Sequence, residues 1–331
     1  ISKNKKRFEK KITGIHDEGA DIVLIQSEDI ENEALHIVEW IQSLTRKELA
    51  YKDIAVIFRA NLQARALVDI MFDLNIPFCL KDEIRNIYEH WIAKDLMAYL
   101  RLSLDDYDNE SIERILNKPK RYISKGLIFE AKKKKGNLLD SLYYLPGIRG
   151  WQLEKLDELK FHLSRLKKKA PEEAIAYIRK NIGYDDYILE YASYKNIGTR
   201  GLMEVLDEIM EGAKSFKNCT DWLRHIGKLE EEIKKGKKRG VGQNDGVVLS
   251  TMHGAKGLEF EAVCIAGAVD GIIPHYKSQG ISGLEEERRL FYVAMTRAKK
   301  YLALSTVKKR YEEEVKPSCF IEDLKEDLKA K

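Results

Sequence analysis

The chain has 331 residues, of which 34% are charged and 44% hydrophobic, and its formal net charge is +4 at pH 7. This length predicts two domains and allows a sizeable core. The longest apolar runs fall far short of the roughly 20 residues that cross a bilayer. The basic first residues, 1–11, have no apolar segment behind them, which argues against a signal peptide. We therefore expect a soluble, cytoplasmic protein that spans no membrane.

The four cysteines indicate neither disulfides nor a metal site. Cys79, Cys219, Cys264 and Cys319 are scattered, form no Cys-x-x-Cys pair and lie mostly in apolar runs. Buried free thiols in a reducing compartment are favoured over disulfides or zinc ligands. No metal ligand is predicted in this chain.

Basic residues are concentrated in the middle of the chain. Residues 100–240 hold 30 Lys and Arg against 23 Asp and Glu, whereas the remainder holds 28 against 31. Basic runs lie at 132–135, 167–169 and 234–239. Each run alone is typical of a solvated helix end or loop. Three runs in one segment indicate a polyanion as partner.

The first part of the chain alternates strands with helices. The predicted elements are strands at 21–26 and 53–58, helices at 30–44, 62–74 and 91–102, and a short apolar piece at 78–80. Such alternation predicts an α/β fold with a parallel sheet.

The middle of the chain differs, because residues 105–238 show helical periodicity with few β-branched runs. The pattern then returns to strands at 247–252, 262–266 and 301–305, with a helix at 285–299. The simplest architecture is one α/β domain, formed by residues 1–103 and 241–331 and interrupted by a helical domain at 104–240. An independent C-terminal domain is the alternative, but it would have few strands and exposed sheet edges.

Three polar segments follow predicted strands, at 58–61, 253–259 and 270–275. Ligands of open parallel sheets bind at the carboxyl ends of strands, where loops present polar groups over a rigid support. These segments are therefore candidate sites on spacing alone. Read as a bare pattern, His253-Gly-Ala-Lys-Gly257 is also compatible with an ordinary strand-to-helix turn.

Longer stretches carry a specific resemblance. Residues 250–260 have the sequence Ser-Thr-Met-His-Gly-Ala-Lys-Gly-Leu-Glu-Phe, and residues 285–299 have Glu-Glu-Glu-Arg-Arg-Leu-Phe-Tyr-Val-Ala-Met-Thr-Arg-Ala-Lys. They resemble motifs V and VI of superfamily 1 DNA helicases of the UvrD/Rep/PcrA type. Residues 55–65, Ala-Val-Ile-Phe-Arg-Ala-Asn-Leu-Gln-Ala-Arg, are similar to motif IV. Weaker likeness at 94–102, 270–275 and 316–321 extends the resemblance over nearly the whole chain.

The resemblance implies the second RecA-like domain of such a helicase, with a DNA-facing helical domain inserted. It is of the P-loop NTPase type, yet no Gly-x-x-x-x-Gly-Lys-Ser/Thr loop and no metal-holding acidic strand end occurs in the 331 residues. The implied cofactor is ATP with Mg²⁺, whose ligands are expected in an N-terminal half of the same helicase. The implied partners are single-stranded and forked DNA, and the chain alone is expected to be inactive.

Four residues are implied to meet ATP. Phe58 would stack on adenine, Glu259 would hold the ribose, and Arg59 and Arg297 would be catalytic arginines on the γ-phosphate. An aromatic face suits a base, and a guanidinium forks onto phosphate oxygens. The alternative for motif IV is that Phe58 ends a core strand and Arg59 caps it at the surface.

Arg297 also draws attention by its spacing. If the predicted helix reaches residue 299, Arg297 shares a stripe with Leu290, Val293 and Ala294 and extends a buried face. An arginine on a buried face needs an anionic partner. That partner is a nucleotide phosphate, as the resemblance implies, or one of the glutamates at 285–287. A further alternative is a snorkelling arginine, whose charged end reaches solvent.

Seven further residues are implied to contact DNA. The motif V residues are Thr251, His253 and Lys256, of which the Thr/His pair approaches the single-stranded backbone in the family. His275 either contacts DNA or is a plain turn histidine. In the helical domain, Lys118, Lys120 and Arg121 precede Tyr122-Ile123-Ser124, where the family often has a Gly-Ile-Gly turn that grips duplex DNA. Without those glycines, binding by the basic residues is expected to be electrostatic.

Two other functions compete with a helicase. A non-enzymatic DNA-binding or regulatory protein could keep the fold, although such a protein has no use for Arg59, Glu259 and Arg297 together. A subunit of a helicase-nuclease complex would need a nuclease domain, which these residues do not contain.

Overall fold

A computed structural model of the chain provides the structure. It describes residues 3–5, 20–81, 86–238, 245–278 and 280–329. The chain forms two compact units, one of residues 1–85 and 232–331 and one of residues 86–231. Along the chain, the boundaries between the units thus lie at 85/86 and 231/232. The boundaries predicted from the sequence are 103/104 and 240/241.

The discontinuous unit contains a six-stranded sheet in the order β1-β6-β5-β2-β4-β3, with every neighbouring pair parallel. A separate antiparallel pair, β7 and β8, follows the sheet in sequence. The strands are β1 Val23–Ser27, β2 Ile54–Phe58, β3 Phe78–Leu80, β4 Val247–Thr251, β5 Phe260–Ile265, β6 Ala298–Val307, β7 Lys309–Arg310 and β8 Glu313–Glu314. The predicted α/β fold with a parallel sheet is confirmed.

Helices surround the sheet and make up the other unit. They are α1 Ile30–Thr45, α2 Arg65–Asp73, α3 Trp91–Leu104, α4 Asn109–Ile115, α5 Lys125–Lys132, α6 Leu138–Tyr143, α7 Gly150–Leu166, α8 Pro171–Lys180, α9 Tyr184–Lys195, α10 Arg200–Ala213, α11 Cys219–Lys238, α12 Gly280–Met295 and α13 Cys319–Lys329. Short 3₁₀ helices lie at Tyr51–Asp53, Asn61–Ala64 and Ile87–Glu89. Within the described part of residues 86–238 there are helices and no strands, as the periodicity predicts.

The central strand β2 is buried along its whole length, as expected of a parallel strand covered on both faces. Alternate residues point to opposite faces. Ala55 and Ile57 belong to a core cluster that includes Phe291 of α12 and Phe320 of α13. Helices α12 and α13 therefore cover this face of the sheet. This packing places side chains of α12 beside the ends of the strands.

Helix α1 shows how local sequence sets an element. Asp29 caps its start, because the carboxylate accepts the Asn32 N–H at 2.8 Å. Glu31 and Glu33 lie in the first turn, where negative charge suits the helix dipole. The apolar residues at 37, 38, 41 and 44 form its buried stripe.

Helix α3 belongs to the helical unit, although the sequence assigned it to the α/β part. The physical reason is its packing: most of its side chains are buried, and the helix contacts α4, α7, α8 and α10. An all-round buried helix is the centre of a helical domain and not the edge of a sheet.

Candidate functional site

The predicted site residues lie at two opposite edges of the sheet. Arg59 directly follows β2 and so lies at the carboxyl edge. Glu259 precedes β5 and Arg297 precedes β6, so both lie at the amino edge. A five-residue strand is roughly 16 Å long. The structure therefore does not bring together the two arginines that the resemblance directs to one phosphate.

At the carboxyl edge, Arg59 forms a two-pronged ion pair with Glu287 of α12. Its Nε donates to Oε2 at 2.9 Å and its Nη2 donates to Oε1 at 2.7 Å. The Arg59 side chain is 18% exposed and the Glu287 side chain 6%. The alternative in which Arg59 simply caps the strand at the surface is therefore wrong, because the guanidinium is largely enclosed and its charge is matched.

Glu287 also accepts two hydrogen bonds from the loop that precedes α12. The His275 N–H donates to Oε2 and the Ser278 hydroxyl donates to Oε1, both at 3.1 Å. Burial opposes the charged form of Glu287, but the Arg59 guanidinium and the loop donors outweigh it, so the pKa of Glu287 is lowered. We name Arg59, Gln63, His275, Ser278 and Glu287 the carboxyl-edge cluster.

Gln63 holds the main chain of Arg59. Its Oε1 accepts the N–H groups of Arg59 and Ala60, at 3.0 and 2.9 Å. Gly267 has φ +65°, and a Cβ there would lie 2.3 Å from Gln63 Nε2. The positive φ at 267 favours glycine, and any side chain there would also displace the amide end of Gln63.

Glu33 is a second buried carboxylate in this unit. Its Oε1 accepts the Gly267 N–H at 3.0 Å and the Ser305 hydroxyl at 2.7 Å. Burial raises the pKa of Glu33, and the two hydrogen bonds offset this only in part. Glu33 thus joins α1 to the ends of β5 and β6 without the bidentate arginine partner that Glu287 has.

At the amino edge, main-chain carbonyls hold Arg297. Its Nε donates to Val293 O at 3.0 Å, its Nη1 to Leu258 O at 3.1 Å and its Nη2 to the Thr296 hydroxyl at 3.2 Å. Among the described residues, no carboxylate pairs with it. We name Leu258, Glu259, Thr296 and Arg297 the amino-edge cluster.

The expected helix position of Arg297 is wrong, because α12 ends at Met295. Arg297 lies in the connection to β6, and its own carbonyl accepts the Phe260 N–H at 2.9 Å. The alternative pairing with the glutamates at 285–287 is also wrong. Glu287 pairs with Arg59, and Glu286 with Arg289 at 2.9 Å. The charge of Arg297 thus has no fixed partner in the described part of the chain.

Phe58 lies in the core. It is the last residue of β2, and 1% of it is exposed. Its ring therefore offers no face to a base in this structure, and the core-strand alternative describes it better. The sequence could not decide this, because an aromatic residue at a strand end suits a core as well as a base.

The motif V segment connects both edges of the sheet. It leaves the carboxyl end of β4 and reaches the amino end of β5. Thr251 is 6% exposed, and its hydroxyl accepts the Gly254 N–H at 3.0 Å, so it shapes the turn from within. His253, Lys256 and Glu259 are exposed, and are the members of this segment that a ligand can reach.

His275, the remaining predicted DNA residue of this unit, is half-buried. Its ring stacks on Tyr276 with centroids 4.4 Å apart, and its Nδ1 accepts the Lys277 N–H at 3.2 Å. These contacts describe an ordered turn histidine whose backbone is tied to Glu287.

In the helical unit, Lys118 is used internally. Its Nζ donates to both carboxylate oxygens of Asp95, at 2.8 and 2.9 Å, and Asp95 has no exposed surface. The Tyr184 hydroxyl donates to the same carboxylate at 2.8 Å, and Arg114 Nε lies 2.7 Å from it. A buried carboxylate needs such partners. Lys118 therefore has a structural role, and its contact with DNA stays a prediction.

Arg121 is structural for a similar reason. It is 6% exposed, and its Nη1 donates to the carbonyls of Ile115, Leu116 and Pro119. These bonds use Arg121 inside the unit, and its contact with DNA stays a prediction. Of the three predicted basic residues here, only Lys120 has an exposed side chain (58%), and it pairs with Glu190 at 2.7 Å.

The turn after these residues keeps a glycine-like backbone without glycine. Tyr122 has φ +58°, a conformation that is strained for a bulky residue. Asn117 stabilises it by hydrogen bonds to both backbone groups of Ile123, and Gln152 Nε2 donates to Tyr122 O at 2.7 Å. The Tyr122 ring is 67% exposed and meets Trp151 edge-on at 5.8 Å.

The positive charge assigned to the helical domain lies partly outside the compact helical unit. Residues 86–231 hold 26 Lys and Arg against 24 Asp and Glu, because the basic run at 234–239 follows them. The charge argument for a polyanion therefore depends on local surfaces and not on the net charge of the unit.

Neither a metal centre nor a membrane span is found among the described residues. No group of three or more His, Cys, Asp or Glu side chains there is arranged to hold a metal ion. No helix in the same ranges has the length and apolar character needed to cross a bilayer. The four cysteines are free thiols.

The parallel sheet, the polar segments at its edges and the helical unit between β3 and β4 define an α/β domain of the RecA-like type. The chain belongs to the family of UvrD-like helicase C-terminal domains, whose family model matches residues 1–309.

Similar proteins agree with this assignment. The ATP-dependent DNA helicase Rep of Buchnera aphidicola is 30% identical over 360 residues, covering 99% of this chain and 54% of Rep. The DNA helicase II of Rickettsia typhi is 28% identical, covering 99% of this chain and 52% of that protein. The ATP-dependent DNA helicase PcrA of Staphylococcus epidermidis is 28% identical, covering 99% and 47%. The chain spans about half the length of the curated relatives it matches.

Proposed function

We propose that this chain is the C-terminal portion of an ATP-dependent 3′ to 5′ DNA helicase. It would supply motifs IV, V and VI to an ATP site that an N-terminal portion completes. The observation that carries the proposal is Arg297, a guanidinium held by carbonyls and matched by no carboxylate among the described residues. Such a charge suits the phosphates of a nucleotide.

On this proposal, the amino-edge cluster meets ATP. Arg297 stabilises negative charge that develops on the γ-phosphate, and the exposed Glu259 accepts hydrogen bonds from the ribose hydroxyls. The phosphate-binding loop and the Mg²⁺ ligands would belong to the N-terminal portion, in keeping with the resemblance to motifs IV, V and VI alone. Bound Mg²⁺ would supply neutralisation of the phosphate charge.

DNA would lie at the carboxyl edge. His253 is exposed just after β4 and Lys256 is exposed further along the same segment, which Thr251 shapes. Because the same segment ends at Glu259, one short stretch would meet DNA at one end and nucleotide at the other. Closure of the two portions on ATP, and opening after hydrolysis, would then move DNA stepwise.

The test compares this chain alone with this chain joined to its N-terminal portion in one polypeptide. The chain alone is expected to show no ATP hydrolysis, and the joined protein to show DNA-stimulated hydrolysis and unwinding of a forked duplex. Substantial DNA-stimulated hydrolysis by the chain alone would overturn the proposal. Salt-dependent binding of the chain alone to forked DNA is expected as well.

A further inference from the structure

Glu287 is the meeting point of three segments of the α/β unit. Its two carboxylate oxygens accept four donors: two from Arg59 after β2, and two from the loop of residues 270–278 before α12. The sharing is even. Oε2 accepts Arg59 Nε and the His275 N–H, while Oε1 accepts Arg59 Nη2 and the Ser278 hydroxyl.

We propose that Glu287 is a positioning residue that couples Arg59 to the loop, so that a change in what Arg59 binds alters how firmly residues 275–278 are held. This inference rests on the proposed function, in which Arg59 belongs to the nucleotide-responsive motifs and the loop lies on the DNA side.

The coupling follows from the enclosure of the carboxylate. Glu287 is 6% exposed, so water replaces a lost partner poorly. If Arg59 withdraws, the enclosed carboxylate loses its counter-charge, and protonation becomes more favourable. A protonated carboxyl group is a weaker acceptor than a carboxylate. The hydrogen bonds from His275 and Ser278 to Glu287 would therefore weaken, although these bonds do not involve Arg59.

Arg59 can respond to an anion without first leaving Glu287. The ion pair uses Nε and Nη2, and a guanidinium has five N–H donors. Within the described residues, no acceptor is assigned to Nη1. An anion that approaches this edge would draw on the same guanidinium that holds Glu287.

The far end of the loop is anchored independently. The Asp270 N–H donates to Lys316 O at 2.9 Å, and Asp270 Oδ1 accepts the Cys319 N–H at 3.0 Å. Loss of the Glu287 contacts would therefore loosen residues 275–278 and leave residue 270 in place. The expected change is local, which makes it measurable at single amides.

The experiment is amide hydrogen exchange of the chain itself, followed by NMR at His275. The variants are Arg59→Gln, Glu287→Gln and the matched control Glu286→Gln. Glu286 neighbours Glu287 on α12 but is 71% exposed and pairs with Arg289. The expected result is exchange at His275 about tenfold faster in Arg59→Gln and in Glu287→Gln, and unchanged in the control.

The Met252 amide reports whether the sheet stays intact, since it donates to Phe58 O at 2.8 Å. Its exchange should be the same in every variant. If Arg59→Gln also accelerates Met252, Arg59→Lys replaces it, because Lys keeps the charge but lacks the planar guanidinium that directs two parallel donors at Glu287. An intermediate acceleration at His275 alone is then expected.

Unchanged exchange at His275 in the intact Arg59 variants would refute the coupling, even if Glu287→Gln accelerates it, since Glu287 would then hold the loop independently of Arg59. This outcome is separate from that of the proposed function. ATP hydrolysis by the joined protein can succeed or fail whichever result the exchange experiment gives.

Discussion

Arg59 and Arg297 are the same residue type at opposite edges of one sheet, and their surroundings differ in charge. Arg59 is matched by a carboxylate that takes two of its donors. Arg297 is held by two carbonyls and a hydroxyl, which orient a guanidinium but do not neutralise it. A guanidinium without a carboxylate partner interacts more strongly with an added anion, which is why the proposed nucleotide site lies at the amino edge.

The carbonyl that accepts Arg297 Nε adds to this difference. Val293 lies in the last turn of α12, where carbonyls lack helical partners and carry partial negative charge. The helix end thus orients the Arg297 guanidinium without neutralising its charge. Glu287 lies six residues before Val293 on the same helix. It orients the Arg59 guanidinium and also neutralises its charge.

The largest expected effect is on catalysis in the joined protein. Arg297→Ala should lower ATP turnover about 10³-fold or more, the size typical of an arginine finger. Arg59→Ala should lower it by a smaller factor, because Arg59 lies at the carboxyl edge, away from the amino-edge cluster that would meet ATP, and Glu287 already offsets its charge. Steady-state hydrolysis with saturating DNA measures both, and DNA affinity should stay unchanged for Arg297→Ala. Equal losses for the two variants would erase the distinction between the edges.

The next effect is on stability, where the order reverses. Glu287→Ala should lower the free energy of unfolding by about 3 kcal/mol, because it leaves Arg59 enclosed without a counter-charge. Arg297→Ala should cost about 1 kcal/mol, since it removes hydrogen bonds to neutral acceptors. Urea unfolding of the chain measures both, with Glu286→Ala as an exposed control expected near zero. If Arg297→Ala lowered the free energy of unfolding more than Glu287→Ala, the Arg59–Glu287 ion pair would not be the more stabilising of the two contacts.

Acid should remove the contribution of the Arg59 pair. The pKa of Glu287 is lower in the folded chain than its ordinary value of 4.5. Its contribution is therefore present above the ordinary value and is lost as the pH falls through the folded value. The difference in unfolding free energy between the wild type and Glu287→Gln should shrink on acidification.

Glu33 should behave with the opposite sign, which makes it the control for acidification. Burial raises its pKa, so its contribution is present below the ordinary value and is lost as the pH rises. Glu33→Gln should therefore gain stability relative to the wild type as the pH rises toward neutral. Parallel pH profiles for the two glutamine variants would show that the Arg59 pair does not set the behaviour of Glu287.

The smallest expected effect is on DNA binding by the helical unit, where the exposed Lys120 is compared with Lys118, the partner of the buried Asp95. Lys120→Ala should reduce the salt dependence of binding to forked DNA by about one counterion. Lys118→Ala should instead lower stability by about 2 kcal/mol, because it removes one charged partner of the buried Asp95, which keeps Arg114 and Tyr184. Fluorescence anisotropy at several salt concentrations measures the first and urea unfolding the second. A shallower salt slope for Lys118→Ala, with stability unchanged, would reverse the roles.

The class of fold was predictable, because alternating strands and helices with a long helical interruption have few solutions. The site was predictable only in part. Helical spacing continues past Met295, so the sequence could not show that α12 ends two residues before Arg297. Thr296 marks the end in the structure, where its hydroxyl donates to Val293 O at 2.9 Å.

The sequence also did not reveal ion pairs between residues that are distant along the chain. Glu287 pairs with an arginine 228 residues away, and Lys118 with an aspartate 23 residues away. Motif spacing identifies which residues matter, but it does not reveal whether a charge is already matched inside the fold. Exposure decides that question, and it separates Lys120 from Arg121 although the two are adjacent.

The pairing of β3 with β4 explains why a whole helical unit can stand between them. The two strands are parallel neighbours, with Phe78 opposite Val247. Parallel neighbours cannot be joined by a tight hairpin, and the chain must return along the sheet through a crossover of a dozen or more residues. The helical unit occupies the position of that obligatory crossover. A change in its length or content therefore leaves the order and the register of the strands unchanged.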